Sequence, residues 1–384
     1  MFSIKKQALT IFFSVFLFHG AFYYIFPEYH YLETGGGGWI SYIKYLCMVA
    51  SLPLLVASRF SRPEAVWIVT GWIIIFAILV PSIFWIDGLN LLLIQFTIPV
   101  FSYFFAGSVL KYFSSEFLVK KISLLVLIFI SLFLVFEFTS GGLVQAYSRS
   151  GVRVAGPFLN PNNTGIVVAL AAAIFHYFER CATLNFLVAL LAIFAVVITG
   201  SKTALLVYFA CFFLTPGRSW KVVLISFTGI VLFAYLDLLE LYWDALELRD
   251  FSTESGSIRI NDASVVLAKV MSGTFADFLF GFTSISVVDN SYLDILSFGG
   301  IFALVPFIVF QLLSVYLCIK NRYKLILLLH LMIFVAMLTT NIPRLWPVAY
   351  VYWLMIGVSI YKSIESNRIR FSPIKIYERK YNVR

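Results

Sequence analysis

Residues 183–199 read TLNFLVALLAIFAVVIT and run straight into Gly200-Ser201-Lys202-Thr203 before a second apolar run begins. The stretch carries no charge, and as a helix it is close to the roughly 20 residues that cross a hydrocarbon core of about 30 Å. Similar runs recur near 8–26, 39–57, 66–86, 91–110, 122–138, 164–180, 204–216, 222–239, 291–318, 325–340 and 345–362. They are continuously apolar, without the short alternating segments of a transmembrane barrel, so helices are expected. Composition agrees. With 61% hydrophobic residues and 12% charged, against about 25% charged in a soluble domain, the chain cannot bury its apolar surface in one water-soluble core. An all-α, polytopic bundle of about twelve transmembrane helices is expected, with residues 1–384 forming a single integral membrane domain. The run at 204–216 is short and, with its neighbour, is expected to form a broken or tilted pair.

A net charge of +9 points to the positive-inside rule rather than to nucleic acid. With the N-terminus inside, the cytoplasmic connections and the tail hold 20 of the 28 basic residues. Both termini are therefore expected in the cytoplasm, residues 363–384 as a basic tail, and the polar stretch 237–290 as a large external loop between the ninth and tenth spans. Lys5 and Lys6 precede an apolar run with no small-residue cleavage site, which reads as an uncleaved first span. Cys47, Cys181, Cys211 and Cys318 have no metal or disulfide spacing and read as packing residues. The four histidines are scattered, and the external segments hold no Asp-x-Asp pair. The glycine run 35–38 reads as a flexible turn.

Eight cations fall against the charge bias: Lys44, Arg149, Arg153, Lys202, Arg249, Arg259, Lys269 and Arg344. Three stretches around them can carry chemistry. In Arg153-Val-Ala-Gly-Pro-Phe-Leu-Asn160-Pro161-Asn162-Asn163-Thr164, Asn163 or Thr164 can cap the following span. Its terminus would offer N–H groups to an anion, with Arg153 and Arg149 supplying guanidinium forks. The alternative is a plain cap beside a loop arginine paired with a carboxylate. Lys202, in its tight turn, either faces a polar cavity or snorkels to the surface. In the long loop, Ser257 is expected to cap an amphipathic helix running to Val270. That places Arg259 in a first turn whose dipole disfavours a cation, so it has an anionic partner or a surface salt bridge to Asp262. After a tight turn at Leu279-Phe-Gly281-Phe-Thr283, Asp289 and Asn290 can cap the next span, while Asp294 lies one turn deeper.

These cations and Asp289 on one side of the membrane suit transfer from a lipid diphosphate. Cations stabilise the departing diphosphate, and a carboxylate takes the proton of the attacking hydroxyl.

The same residues carry a family likeness. Arg153-x-x-Gly156-Pro-Phe-x-Asn160-Pro161-Asn162-Asn163, Thr199-Gly-Ser201-Lys202-Thr-Ala-Leu-Leu, Ser257-x-Arg259, Gly281 and Asp289-Asn290-Ser291-Tyr292-Leu293 with Gly299-Gly300 together resemble the O-antigen polymerase and ligase superfamily, over roughly residues 149–310. The resemblance implies a bacterial inner-membrane glycosyltransferase of surface-polysaccharide and lipopolysaccharide biosynthesis. Its site would be periplasmic, and it would use no metal and no other cofactor. The implied partners are undecaprenyl-diphosphate-linked oligosaccharide, the growing polymer, membrane lipid and a chain-length regulator protein. Lys202 stands where the family commonly has arginine. Asp289 stands where ligases typically have histidine, which is similar to the Wzy-type polymerases. The expectation is a polymerase with Arg153 and Arg259 binding diphosphate, Lys202 as auxiliary cation and Asp289 as base. Arg149, Asn160, Asn163, Asn290, Tyr292 and Arg344 would line the pocket. A ligase and, from another class, a flippase or transporter are the rival readings. A transporter would place charges in mid-span and show repeated halves, and neither is visible.

Overall fold

The computed structural model describes residues 62–85, 96–112, 115–139, 154–158, 160–214, 255–282, 289–344 and 346–371. Within them the regular elements are helical, with no strand. In chain order they are α1 (Arg62–Trp85), a 3-10 segment (Ile98–Phe105), α2 (Ala106–Tyr112), α3 (Glu116–Thr139), α4 (Pro161–Phe178), α5 (Ala182–Thr199) and α6 (Lys202–Leu214). Then come α7 (Ser255–Ser272), α8 (Phe275–Phe280), α9 (Ser291–Lys320), α10 (Lys324–Met337) and α11 (Val348–Phe371). By length and composition α3, α5 and α9 are long and apolar enough to cross a membrane. The expected spans at 8–26, 39–57 and 222–239 and the glycine run at 35–38 lie outside the described residues, as do Cys47, Arg149, Arg153 and Arg249.

Antiparallel neighbours follow from short connections. Helix α4 packs between α3, α5 and α6, and α10 lies against α6 and α9. Small residues let these backbones close up: a Cβ on Gly165 of α4 would stand 2.5 Å from that of Ala204 in α6. The run at 91–110 does not form one straight helix. Pro99 has no N–H to give to a helical ladder, and Ile98–Phe105 winds as a 3-10 segment packed on α11. There Ser102 Oγ donates to Tyr350 O at 2.7 Å, and Gly357 admits the Tyr103 carbonyl, which a Cβ would meet at 2.6 Å.

The run expected as one tenth span is also broken. Gly300, inside α9, has φ +59° and ψ −161°. Tyr292 and Gln311 are 19 residues apart, which a straight helix would separate by about 28 Å. Yet the Tyr292 hydroxyl donates to Gln311 Oε1 at 3.1 Å. Helix α9 therefore folds back at Gly299-Gly300, laying its first nine residues against the longer limb that continues to Lys320. The loop tip is pinned by the end of α8: Gly281, at φ +93°, packs on the Phe298 carbonyl, and Phe282 N–H donates to Ser297 O at 2.7 Å. The turn expected at Leu279-Phe-Gly281-Phe-Thr283 starts from the end of a short helix, α8, opened by a Thr274/Asp277 capping box and closed by Gly281, with Thr283 outside the described residues.

Inside the bundle aromatic rings fill the centre, with Phe96 against Phe298 and Phe307, and Phe307 against Tyr352 and Trp353. One buried polar cluster ties three helices: His330 Nε2 meets Ser314 Oγ, which also meets Ser359 Oγ, each at 2.6 Å. Cys211 and Cys318 are buried, as packing residues should be. Cys181 is exposed, because it lies in the turn before α5 rather than on a packed face.

The two ends of the bundle differ in charge. Lys111, Lys120, Lys121, Arg180, Lys320, Arg322 and Lys324 gather at one end, at or beside the termini of α2, α3, α4, α9 and α10. Here Glu179, at the end of α4, accepts from Lys120 Nζ at 2.9 Å and from the Arg180 and Cys181 N–H groups at 2.8 Å each. The Cys181 N–H first, and then Lys120, hold the Glu179 carboxyl below its ordinary range. Its contribution to stability is therefore in place above the ordinary carboxylate pKa and lost as pH falls through the lowered value. Lys120→Met should cost less than about 1 kcal/mol. It should also flatten the fall in melting temperature of detergent-purified protein on acidification. An unchanged acid slope would show that the pair does not carry that dependence.

Candidate functional site at the opposite end of the bundle

The other end gathers the N-termini of α4, α6 and α9 onto the connection between α10 and α11. Asn160 caps α4: its Oδ1 accepts from the N–H groups of Asn162 and Asn163 at 2.9 and 3.1 Å. Its carbonyl takes the Thr164 N–H at 3.0 Å. Pro161, at the first helical position, has no N–H to offer. Every first-turn donor is thus occupied or absent, so the expected cap by Asn163 or Thr164 is replaced by Asn160, and the terminus has no spare N–H group for an anion. The side chains freed from capping do other work. Asn162 Oδ1 accepts from Ser201 Oγ at 2.9 Å, and Asn163 Nδ2 donates to the Trp346 carbonyl at 2.8 Å. That bond fixes the amide orientation and leaves Asn163 Oδ1, in a residue 3% exposed, as a buried acceptor without a hydrogen-bond partner among the described residues. A lone acceptor suits a hydroxyl or N–H, not a phosphate oxygen.

The α5–α6 turn follows from Gly200, whose φ of +61° ends α5 in the left-handed region. Ser201 and Thr203 on either side are 2% and 6% exposed. Ser201 is held by Asn162, and Thr203 Oγ1 lies 2.9 Å from Thr339 Oγ1. Lys202 between them is exposed, and its backbone is fixed on both sides.

The third terminus is α9. Asn290, not Asp289, caps it, accepting from the N–H groups of Tyr292 and Leu293 at 3.1 Å each. Asn290 Nδ2 donates to Leu338 O at 3.2 Å, next to the Thr339 that holds the α6 turn. Ser291, fully buried, donates from Oγ to Thr340 O at 2.6 Å and accepts the Ile342 N–H at 3.0 Å. Asp289 is half-buried beside this cap, and Asp294, 1% exposed, lies one turn deeper. Lys202 and Asp289 are thus both borne on turns fastened to consecutive residues, Thr339 and Leu338.

The Tyr292 hydroxyl is turned inward to Gln311, as its clasp across the α9 fold-back requires. Helix α7 begins at Ser255, so Ser257 lies inside it and Arg259 is its fifth residue; the Arg259 side chain lies outside the described residues. Arg344 ends a 3-10 turn, Ile342–Arg344, that begins at the Ser291 contact, and its side chain is likewise outside them. Arg149 and Arg153 precede the described Val154.

One residue of this end went unmarked in the sequence. Glu137, two residues before the end of α3, is fully buried. Its Oε2 accepts the Gly156 N–H at 2.7 Å and its Oε1 the Ala155 N–H at 3.1 Å. The signal was a carboxylate closing an apolar run, as costly as Asp294 unless satisfied. Among the described residues no three His, Cys, Asp or Glu side chains form a metal-binding group. Compared with known proteins, the chain matches no family model, and no curated protein matches it.

Proposed function

We propose that the protein is a Wzy-type polysaccharide polymerase. In this reading the polar end of the bundle faces the periplasm and the basic end faces the cytoplasm of a bacterial inner membrane. The sugar hydroxyl of one undecaprenyl-diphosphate-linked repeat unit attacks the anomeric carbon of a chain held on a second lipid diphosphate. The C–O bond to the diphosphate breaks as the new glycosidic bond forms. Asp289 takes the hydroxyl proton. Arg153, Arg259 and the exposed Lys202 carry the negative charge that grows on the leaving diphosphate. Because the α4 terminus has spent its N–H groups on Asn160, anion stabilisation falls to these cations, and Asn160, Asn163 and Asn290 shape the sugar pocket.

The observation that carries the reading is the joining of two distant stretches. Ser201-Lys202-Thr203 and Asp289-Asn290 are anchored side by side on Leu338 and Thr339, which places a cation and a carboxylate at one end of the bundle. Asp289, at the position where ligases typically have histidine, favours a polymerase over a ligase. The test is product formation by purified protein given lipid-linked repeat units, where a ladder of lengthening lipid-linked chains is expected. In cells, loss of the protein should leave lipid A-core bearing a single repeat unit. Accumulation of unattached lipid-linked polymer would instead make it a ligase, and no product from purified protein would favour a transporter.

A further inference from the structure

We propose that Glu137 is a positioning residue for the polar end of the bundle, acting through the backbone of residues 155–156 on the first turn of α4. The inference rests on the polymerase reading for its effect on turnover, but its geometry stands independently. Both carboxylate oxygens are used, one on the Ala155 N–H and one on the Gly156 N–H. Thr164 Oγ1 donates to the Ala155 carbonyl from the other side. Ala155 is thereby gripped at both its N–H and its C=O, by α3 and α4 respectively.

The space around the segment is tight. Gly156 has φ +69°, and a Cβ there would lie 2.6 Å from Thr164 Cγ2 and 3.1 Å from Leu134 Cδ2. The segment therefore fills the gap between the last turns of α3 and the first turn of α4, with Val154, Ala155 and Phe158 all buried. A carboxylate with two acceptor oxygens in line matches two successive N–H groups, which an amide cannot do with its NH₂ half. Charged acceptors also make the stronger bonds.

From Thr164 the constraint passes along one helical turn to Asn162 and Asn163, which hold Ser201 and Trp346. Ser201 is the neighbour of Lys202. A carboxylate on α3 thus sets where the α6 turn and its cation stand, although Glu137 need touch no substrate.

The test combines a position readout with a kinetic one. Cysteines at Pro161→Cys and Lys202→Cys, in a background without the native cysteines, leave the Asn162–Ser201 bond in place and report the α4–α6 approach through a short bis-thiosulfonate cross-linker, while polymer formation is measured in protein that keeps Pro161 and Lys202. E137Q should lower cross-linking several-fold. It should also reduce polymer formation at saturating lipid-linked substrate roughly tenfold to a hundredfold, as displacement of a catalytic group by about 1 Å does. The KM for that substrate should stay within about twofold. E137D, which keeps the charge but is too short for both N–H groups, should reproduce the cross-linking loss. Unchanged cross-linking in both variants overturns the proposal. So does failure of both to accumulate, since Glu137 would then be needed for the bundle as a whole. A cross-linking loss in protein that makes no polymer under any condition would leave the clasp standing and remove the polymerase reading alone.

Discussion

Asp289→Asn is expected to reduce polymer formation by roughly 10²–10⁴-fold, the usual range for loss of a general base, while the protein folds and inserts as before. The separation of chemistry from folding follows from the cap. Asn290 supplies the side-chain acceptor for the Tyr292 and Leu293 N–H groups, so Asp289 can lose its charge without freeing a helix terminus. Even were Asp289 the cap, asparagine would keep the side-chain acceptor, whereas alanine there would cost about 1 kcal/mol of local stability and confuse the two effects. Asn290→Ala is the contrasting variant, since it removes both the cap and the bond to Leu338 O. Initial rates with purified protein and lipid-linked repeat units, alongside thermal melts, decide the matter. Near-normal rates for Asp289→Asn would remove Asp289 from the mechanism, and a matching fall in melting temperature would make its role structural.

Gly300→Ala is expected to have the largest effect on the fold, about 3–5 kcal/mol. Two independent costs meet at this residue. Its φ of +59° lies where a Cβ is disfavoured by roughly 1–2 kcal/mol. A Cβ would also stand 2.3 Å from the Leu279 carbonyl oxygen and 2.5 Å from the Phe280 nitrogen, and backbone atoms at the end of a helix cannot yield as the tip of a side chain can. The α9 fold-back would open, separating Tyr292 from Gln311 and withdrawing the limb that carries Asp289 and Asn290. Reduced detergent-resistant melting temperature and loss of product are expected together. Gly299→Ala is the milder neighbour: its Cβ would meet the Ala303 side chain rather than backbone, and its φ is not in the left-handed region. Equal melting temperatures for wild type and Gly300→Ala would mean that the fold-back is not fixed by this glycine.

The helices were largely legible because their cause is local. An uninterrupted apolar run satisfies its own backbone only as a helix, and α4, α5, α6 and α10 begin and end within about three residues of where hydropathy puts them, while α3 starts one to two turns earlier, at Glu116. Two runs were misread for a shared reason. Hydropathy sums over side chains and is blind to a single backbone reversal, so the runs at 91–110 and 291–318 read as single spans across Pro99 and Gly299-Gly300. Caps were read to within three residues. An asparagine, a proline and two more asparagines in a row offer several near-equivalent caps, and which one wins depends on what the others can reach. Asn163 finds Trp346 and Asn162 finds Ser201, partners 183 and 39 residues away. Glu137 escaped notice for a similar reason: its partners are backbone N–H groups, which every residue but proline possesses and no sequence pattern marks.

What the sequence determined by itself is the class of molecule and the kind of groups available to it: an apolar helical chain, basic residues sorted toward alternate connections, and a few polar stretches bearing Arg153, Lys202, Arg259 and Asp289. These are consequences of composition and of periodicity within one helix. Tertiary structure decided which turns meet. The turns that bear Lys202 and Asp289 are fastened, through Thr203 and Asn290, to neighbouring residues of one connection, and the α9 limb that follows Asp289 reaches it only because the chain reverses at Gly300. Such meetings depend on the packing of several helices at once, where one missing Cβ or one buried carboxylate fixes a distance between residues far apart in the chain.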